Sequence, residues 1–284
     1  MREIILTVSQ EESGASALGF LKSHGFSKRI ISQLKKTGGL TRSGAVLRSV
    51  DRVYAGDMVR VILEDGGGEE PNPDIPARLA YEDEDVVVFD KPPFIPVHPS
   101  IGHRRDTLAN LFAALYGDAP FRPINRLDKN TSGLCVCARN RLAAAELNGR
   151  VSKVYYAVVD GDIERGGRLD FPIGRQDGSI IRRTVCAEGK PAVTLFEPVL
   201  RTGGRTLLRI TLETGRTHQI RVHFSHIGFA LCGDDLYGGD CSDINRQALH
   251  CGEVSFVHPI SGERITVSSE LPQDMKRLLR RGEA

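Results

Sequence analysis

The run Asp65-Gly66-Gly67-Gly68-Glu69-Glu70-Pro71-Asn72-Pro73-Asp74 cannot build a packed element. Its glycines raise the entropic cost of any fixed conformation, its prolines remove backbone donors, and it offers nothing to bury. A core formed before it must therefore be separate from a core formed after it, and a chain of 284 residues is long enough for both. The expected organisation is a small unit over 1–64, a linker over 65–76 and a large unit over 77–284. A hydrophobic content of 40% is that of an ordinary globular protein, and no apolar run approaches the roughly 18 residues of a membrane span. The stretch Met1-Arg2-Glu3-Ile4-Ile5-Leu6 lacks the apolar core and cleavage site of a signal peptide, so a cytoplasmic location is expected.

Charge is uneven along the chain. The net charge is only +2, but residues 1–64 carry ten Lys and Arg against six Asp and Glu, while in 65–90 nine carboxylates face Arg78 alone. This is either two solvated surfaces or a basic N-terminal unit that attracts phosphates. In that unit Ala17, Leu18, Phe20 and Leu21 are spaced for one helical face. Residues 27–36 read as a second helix, with Ser27 as N-cap, Ile30, Ile31 and Leu34 as the apolar stripe, and Lys28, Arg29, Lys35 and Lys36 on or beside it as candidate phosphate-binding cations. Gly38-Gly39 ends it. Strand-like pieces follow at Leu40-Thr41, 45–47 and 57–63. This pattern resembles the S-four-like RNA-binding module named after a ribosomal protein, with Gly38 to Gly44 standing where the module usually has a Val-Asn-Gly hairpin.

The six cysteines, at 135, 137, 186, 232, 241 and 251, form no C-x-x-C pair and no zinc spacing, so they are read as reduced thiols. The large unit is rich in strand-like stretches (86–89, 134–138, 154–159, 207–212), with helices expected at 106–116, 140–150, 217–226 and 271–281. Turns rather than regular crossover helices link several strands. The expected fold class is α+β, with a mixed, largely antiparallel sheet.

Four segments carry the chemistry. In Asn125-Arg126-Leu127-Asp128-Lys129-Asn130-Thr131-Ser132-Gly133, a carboxylate sits on a loop just before a buried strand, where catalytic groups are commonly mounted. A paired Arg would keep it ionised and aimed. Taken alone, Arg126-Leu127-Asp128 would be a turn with a surface ion pair. Residues 81–93, followed by Val97-His98-Pro99-Ser100, form a strand leaving an acidic turn into a proline-stiffened loop, and are structural when taken alone. In 153–159, alternation puts Lys153, Tyr155, Ala157 and Val159 on one face and Tyr156 and Val158 on the other, so one tyrosine is ordinary core. In Glu213 to His226, Thr217 is a candidate cap, with His218 and Arg221 on one helix face. His218, His223 and His226 lack ligand spacing and an H-E-x-x-H, so no metal is expected.

Together these motifs resemble the RluA-type RNA pseudouridine synthases. The nonamer is similar to that family's signature, Lys153 to Val159 to its K-x-Y-x-A-x-V, and Gly215 to His223 to its G-R-T-H-Q-I-R-V-H. Gly228 to Gly238 and Ala248 to Pro259 extend the likeness over 77–270, almost continuously. Asn125 stands where the family often has His, and Ala230 where Pro is common. The resemblance implies an isomerase that detaches uracil from its ribose, turns it and rejoins it through ring carbon 5, with no cofactor. It implies Asp128 as the essential carboxylate, Arg221 as its ion-pair partner and Tyr155 as the ring that stacks on the base and relays a proton. Arg126 would fill the gap left by the flipped nucleotide, Leu127 would pack the loop, and Arg216 would touch phosphate or water. The implied partner is ribosomal RNA, or otherwise transfer RNA, with a monomer as the default state. Two other classes fit parts of the pattern: an RNA-binding protein that kept the fold without turnover, and a hydrolase using Asp128 as nucleophile. The hydrolase needs a second carboxylate at a fixed partner position.

Overall fold

The computed structural model describes residues 2–24, 26, 28–63, 68–117 and 119–280. They fall into two compact units, 1–67 and 68–284.

The first unit contains β1 (Arg2–Thr7), α1 (Ala17–Ser23), α2 (Lys28–Thr37), β2 (Leu40–Arg42), β3 (Ala45–Val46) and β4 (Met58–Leu63). Its sheet has the order β1-β4-β2-β3. β1 escaped the sequence reading because Ile4, Ile5 and Leu6 do not alternate with polar residues. Ser16 caps α1 by accepting a hydrogen bond from the Gly19 amide at 3.1 Å. The expected stripes form the core: Ala17, Phe20, Leu21, Ile31 and Leu34 are buried with Val59 and Val61. Ser27, the expected cap of α2, lies outside the described residues, as do the side chains of Ile30, Lys28, Arg29 and Lys36. Lys35 is exposed.

Residues 70–76, read as linker from composition, dock on the second unit. Asn110 Nδ2 donates to the Glu70 carbonyl at 2.8 Å, Asn72 Nδ2 donates to the Arg105 carbonyl at 2.7 Å, and Ile75 is buried in the large core. Asn72 of this Pro-rich run donates to a main-chain carbonyl and Glu70 accepts at its own, which composition does not reveal.

That unit runs β5 (Arg78–Glu82), β6 (Val86–Lys91), α3 (Leu108–Tyr116), β7 (Arg122–Pro123), β8 (Ser132–Ala138), α4 (Arg141–Leu147), β9 (Ser152–Asp160) and β10 (Gly167–Asp170). It continues with β11 (Ile173–Arg175), β12 (Arg183–Val185), β13 (Val193–Thr202), β14 (Arg205–Leu212), α5 (Gln219–His226), β15 (Leu249–Val257), β16 (Arg264–Ser268) and α6 (Gln273–Arg280). The main sheet has ten strands in the order β10-β13-β14-β9-β15-β8-β6-β5, with β16 beside β15 and β7 beside β8; β11 and β12 form a separate hairpin. All pairings in the main sheet are antiparallel except β15 with β8. The class is α+β, with a mixed, largely antiparallel sheet.

β6 and β8 are central because their side chains are apolar on both faces. Val86, Val87, Val88 and Phe89 are buried, and so is every residue of β8, including Cys135 and Cys137. Among the described residues all six cysteines are free thiols, and no helix is long and apolar enough to cross a membrane.

The parallel contact of β15 with β8 pairs Cys251 with Gly133, the last residue of the Asp128 segment. Gly133 has φ +108°, and a Cβ there would lie 2.2 Å from the Cys251 carbonyl oxygen. Gly133→Ala is therefore expected to lower the melting temperature by about 10 °C, since a rigid backbone atom cannot give way. A thermal scan within about 2 °C of wild type would show that the two strands tolerate separation.

Candidate active site

The Asp128 loop is held mainly through its backbone. At its base Asn125 acts as an extra piece of strand: Nδ2 donates to the Leu134 carbonyl at 3.1 Å and Oδ1 accepts the Val136 amide at 2.8 Å. The Thr131 amide donates to the Asp128 carbonyl at 3.1 Å, closing a turn over the two residues between them. From β6, the buried Lys91 donates from Nζ to the Lys129 carbonyl at 3.1 Å and to the Pro92 carbonyl at 2.9 Å. Burial pushes its ammonium down to about 7. Arg246, fully buried and bidentate with Asp274 of α6 at 2.6 and 3.0 Å, donates to the Asn130 carbonyl at 3.3 Å. Gln247 donates to Thr131 Oγ1 at 3.2 Å.

The turn presents Asp128 to a cleft of about 390 Å³. Segments far apart in sequence line it: Arg126 to Asp128, Tyr155 on β9, Arg216 and His218 before α5, Arg221 on α5, and Leu249 on β15. Every catalytic and substrate-binding candidate from the sequence, namely Asp128, Tyr155, Arg221, Arg126, Leu127 and Arg216, lines this cleft. Arg126 is exposed at the rim and Leu127 is buried beneath it. Arg216 donates from Nε to the Pro191 carbonyl at 2.9 Å, fixing its stem while leaving its side chain partly in solvent.

Arg221 is the electrostatic centre. Its Nη1 donates to Asp128 Oδ2 at 3.1 Å, as expected from sequence. Its stronger partner was not foreseen: Asp234, fully buried, takes Nε at 2.7 Å and Nη2 at 2.8 Å. A guanidinium has donors enough for both carboxylates, and it also lies 4.9 Å from the centre of the Tyr237 ring. Burial alone would lower its pKa, but Asp234 and Asp128 outweigh it and raise it, so Arg221 is a permanent cation. Asp234 is not the second carboxylate a hydrolase requires, because both its oxygens are spent on Arg221 and none is open to the cleft.

Tyr155 and Tyr156 divide as strand alternation requires. Tyr155 is buried on the cleft side, whereas Tyr156 packs against Val158 and Met275. Burial pushes the Tyr155 phenol well above its usual range, with Cys251 and Asp128 adding to the shift, so it stays protonated at neutral pH.

The three histidines of the 213–226 segment serve separate purposes. His223 is buried, between Thr194 Oγ1 and the Phe171 carbonyl, both at 2.9 Å. His226 is exposed, with its ring 4.9 Å from that of Phe171. His218, and not Thr217, is the N-cap residue of α5; it has left-handed backbone angles and makes no capping bond with its side chain. Its Nδ1 is 2.8 Å from the Tyr237 hydroxyl and its Nε2 is 3.7 Å from Asp128 Oδ2. Among the described residues Asp83, Asp85 and His258 have the composition of a metal site, with ligand atoms within 4.8 Å of one another. They do not fit one, because His258 Nδ1 accepts the Ile260 and Ser261 amides at 3.3 and 3.1 Å. The neutral ring then carries its proton on Nε2, 3.0 Å from Asp83 Oδ2, where a metal would need the lone pair.

Sequence reasoning missed Asp234, Tyr237, His218 and Lys91 as site residues. All four lie in segments that attracted notice, but a run of residues does not tell which side chains turn inward.

Residues 85–226 match the family described as RNA pseudouridylate synthase. The uncharacterized RNA pseudouridine synthase YjbO of Bacillus subtilis (strain 168) is 39% identical over 269 residues, covering 90% of this chain and 95% of that protein. The chain belongs to the RNA pseudouridylate synthase family. Members of the family are isomerases acting on RNA, and that is the reaction class of this chain. The ribosomal large subunit pseudouridine synthase D of Pseudomonas aeruginosa is 40% identical, covering 86% of this chain and 84% of its own. The solved structure of human RNA pseudouridylate synthase domain containing 1 shares the synthase fold, with a TM-score of 0.58 at 24% identity over 78% of this chain and 98% of that chain.

Proposed function

We propose that this synthase isomerises a specific uridine in structured ribosomal RNA, with Asp128 as the essential carboxylate. The observation that carries this reading is the convergence of Asp128, Tyr155 and Arg221 on one cleft from a loop, a strand and a helix distant in sequence. Asp128 supplies the nucleophile or base, Arg221 holds one of its oxygens, and the protonated Tyr155 stacks on the uracil and passes a proton. Arg126 occupies the space left in the RNA by the flipped nucleotide, Leu127 packs the loop from below, and Arg216 binds a neighbouring phosphate. The choice of ribosomal over transfer RNA rests on relatives named as large-subunit ribosomal enzymes. The protein acts as a cytoplasmic monomer.

The deciding experiment is tritium release from transcripts labelled at uracil carbon 5, run with ribosomal and transfer RNA in parallel. Release from ribosomal transcripts is expected. Release from transfer RNA alone would reassign the substrate, and RNA binding without release would favour a non-catalytic binding protein.

Residues 1–64 act as an S-four-like RNA-binding module, with Lys28, Arg29, Lys35 and Lys36 on phosphates. Deleting them is expected to weaken RNA binding by about tenfold or more at moderate salt and to flatten its salt dependence, because several phosphate contacts are lost. Turnover of bound RNA should persist. Unchanged affinity and site choice in filter binding would remove the module from the reading.

A further inference from the structure

His218 occupies a conformation that its helix does not explain. It is one of few non-glycine residues at positive φ among those described, with φ 57° and ψ 19°. That backbone region is unfavourable for a side chain bearing Cβ, and such residues gather where geometry serves a site. The side chain gives α5 no capping bond. The ring instead lies in the cleft, largely buried, beside Asp128.

Hydrogen-bond accounting fixes its proton. The Tyr237 hydroxyl oxygen accepts the Arg183 amide at 2.9 Å. Its own proton has one acceptor within reach among the described residues, His218 Nδ1 at 2.8 Å. Nδ1 is therefore an acceptor, and the neutral ring carries its hydrogen on Nε2. At 3.7 Å from Asp128 Oδ2 that N–H is beyond hydrogen-bond reach of the carboxylate and stands beside it in the cleft.

We propose that His218 is a catalytic residue, whose Nε2–H donates a hydrogen bond to an oxygen of the uridine bound at Asp128, and that Tyr237 is the positioning residue keeping the proton on that nitrogen. The assignment rests on the synthase reading above. Burial holds the imidazole below its usual range, against the pull of Asp128 and Asp234 and with the help of Arg221 and Arg183. A neutral donor orients substrate without competing with Arg221 for the carboxylate. Tyr237 is itself fixed, with its ring against Arg221 and its hydroxyl on the β12 backbone, so the tautomer is set by the fold rather than by solvent.

The test is a double-mutant cycle read by single-turnover tritium release, with RNA binding measured in parallel. His218→Gly keeps the left-handed backbone at no steric cost, so loss of folding is not an expected outcome. It should lower kcat about a hundredfold, as for removal of one preorganised donor, with KM little changed. Tyr237→Phe keeps the ring and should lower kcat about tenfold, and it should add nothing in the His218→Gly background. His218→Gln, which returns an N–H donor, should recover part of the loss. A His218→Gly enzyme as fast as wild type, or equal Tyr237→Phe penalties in both backgrounds, would overturn the proposal. Because wild-type release and its absence in Asp128→Asn are read in the same series, failure of the synthase reading would be seen separately.

Discussion

Asp128→Asn is expected to reduce tritium release by on the order of 10⁴-fold or more while the protein stays folded and binds RNA. The carboxamide is nearly the same shape as the carboxylate but can neither attack carbon nor take a proton at neutral pH. The surroundings should tolerate the change. Asp128 is partly exposed and shares Arg221 with Asp234, which holds the guanidinium through two shorter bonds. Arg221 thus keeps its main counter-ion, and the amide oxygen can still accept the Nη1 bond. Stability should change by about 1 kcal/mol or less, as for other partly solvated pairs. Circular dichroism melts and filter binding on the same preparation separate chemistry from folding. Turnover within tenfold of wild type would remove Asp128 from the centre of the mechanism.

Asp234→Asn should behave in the opposite way, damaging the fold first and the chemistry through it. Asp234 is fully buried and neutralises a guanidinium that is itself buried. Removing one member of such a pair typically costs about 3–5 kcal/mol, because the remaining charge is left without its partner in a poor solvent. In a unit of this size that is a fall of roughly 10 °C in melting temperature. Arg221 would be drawn toward its remaining anion, Asp128, and kcat should fall even where the protein is folded. Replacing both members, with Arg221→Met and Asp234→Leu, should restore much of the melting temperature but none of the activity. A melting temperature unchanged in Asp234→Asn would mean that water reaches the pair.

Much of this was legible in the chain itself. The α+β class and the helices after 107, 140, 218 and 272 followed from periodicity, whereas the docking of residues 70–76 did not, because it rests on hydrogen bonds to the main chain that composition hides. Asp128 and the five candidates around it were legible because their motifs are short and collinear. Asp234 was not, although it lies in a quoted motif, because nothing local says that its carboxylate turns toward an arginine 13 residues earlier. Thr217 was mistaken for the cap of α5 because propensity favours a hydroxyl there, whereas the backbone gives that place to His218 in a left-handed conformation. β1 was missed because its apolar residues do not alternate with polar ones and its pairing with β4 is a long-range event; the Asp90-Lys91-Pro92 turn was legible as a support of the cleft, but not that the Lys91 side chain is buried and grips the Asp128 loop.

The anchoring of the Asp128 loop has a consequence for how such enzymes can diverge. Lys91 and Arg246 grip it by the carbonyls of Lys129 and Asn130, and those acceptors exist whatever side chains the two residues carry. Substitution at 129 or 130 would therefore leave both handles in place, while Asp128 and Gly133 could not be exchanged so freely. A descendant of this chain could lose the spelling of the segment and keep its shape. Distant members of the lineage would then be found by the path of the main chain and the cations beneath it, long after a search on the letters had failed.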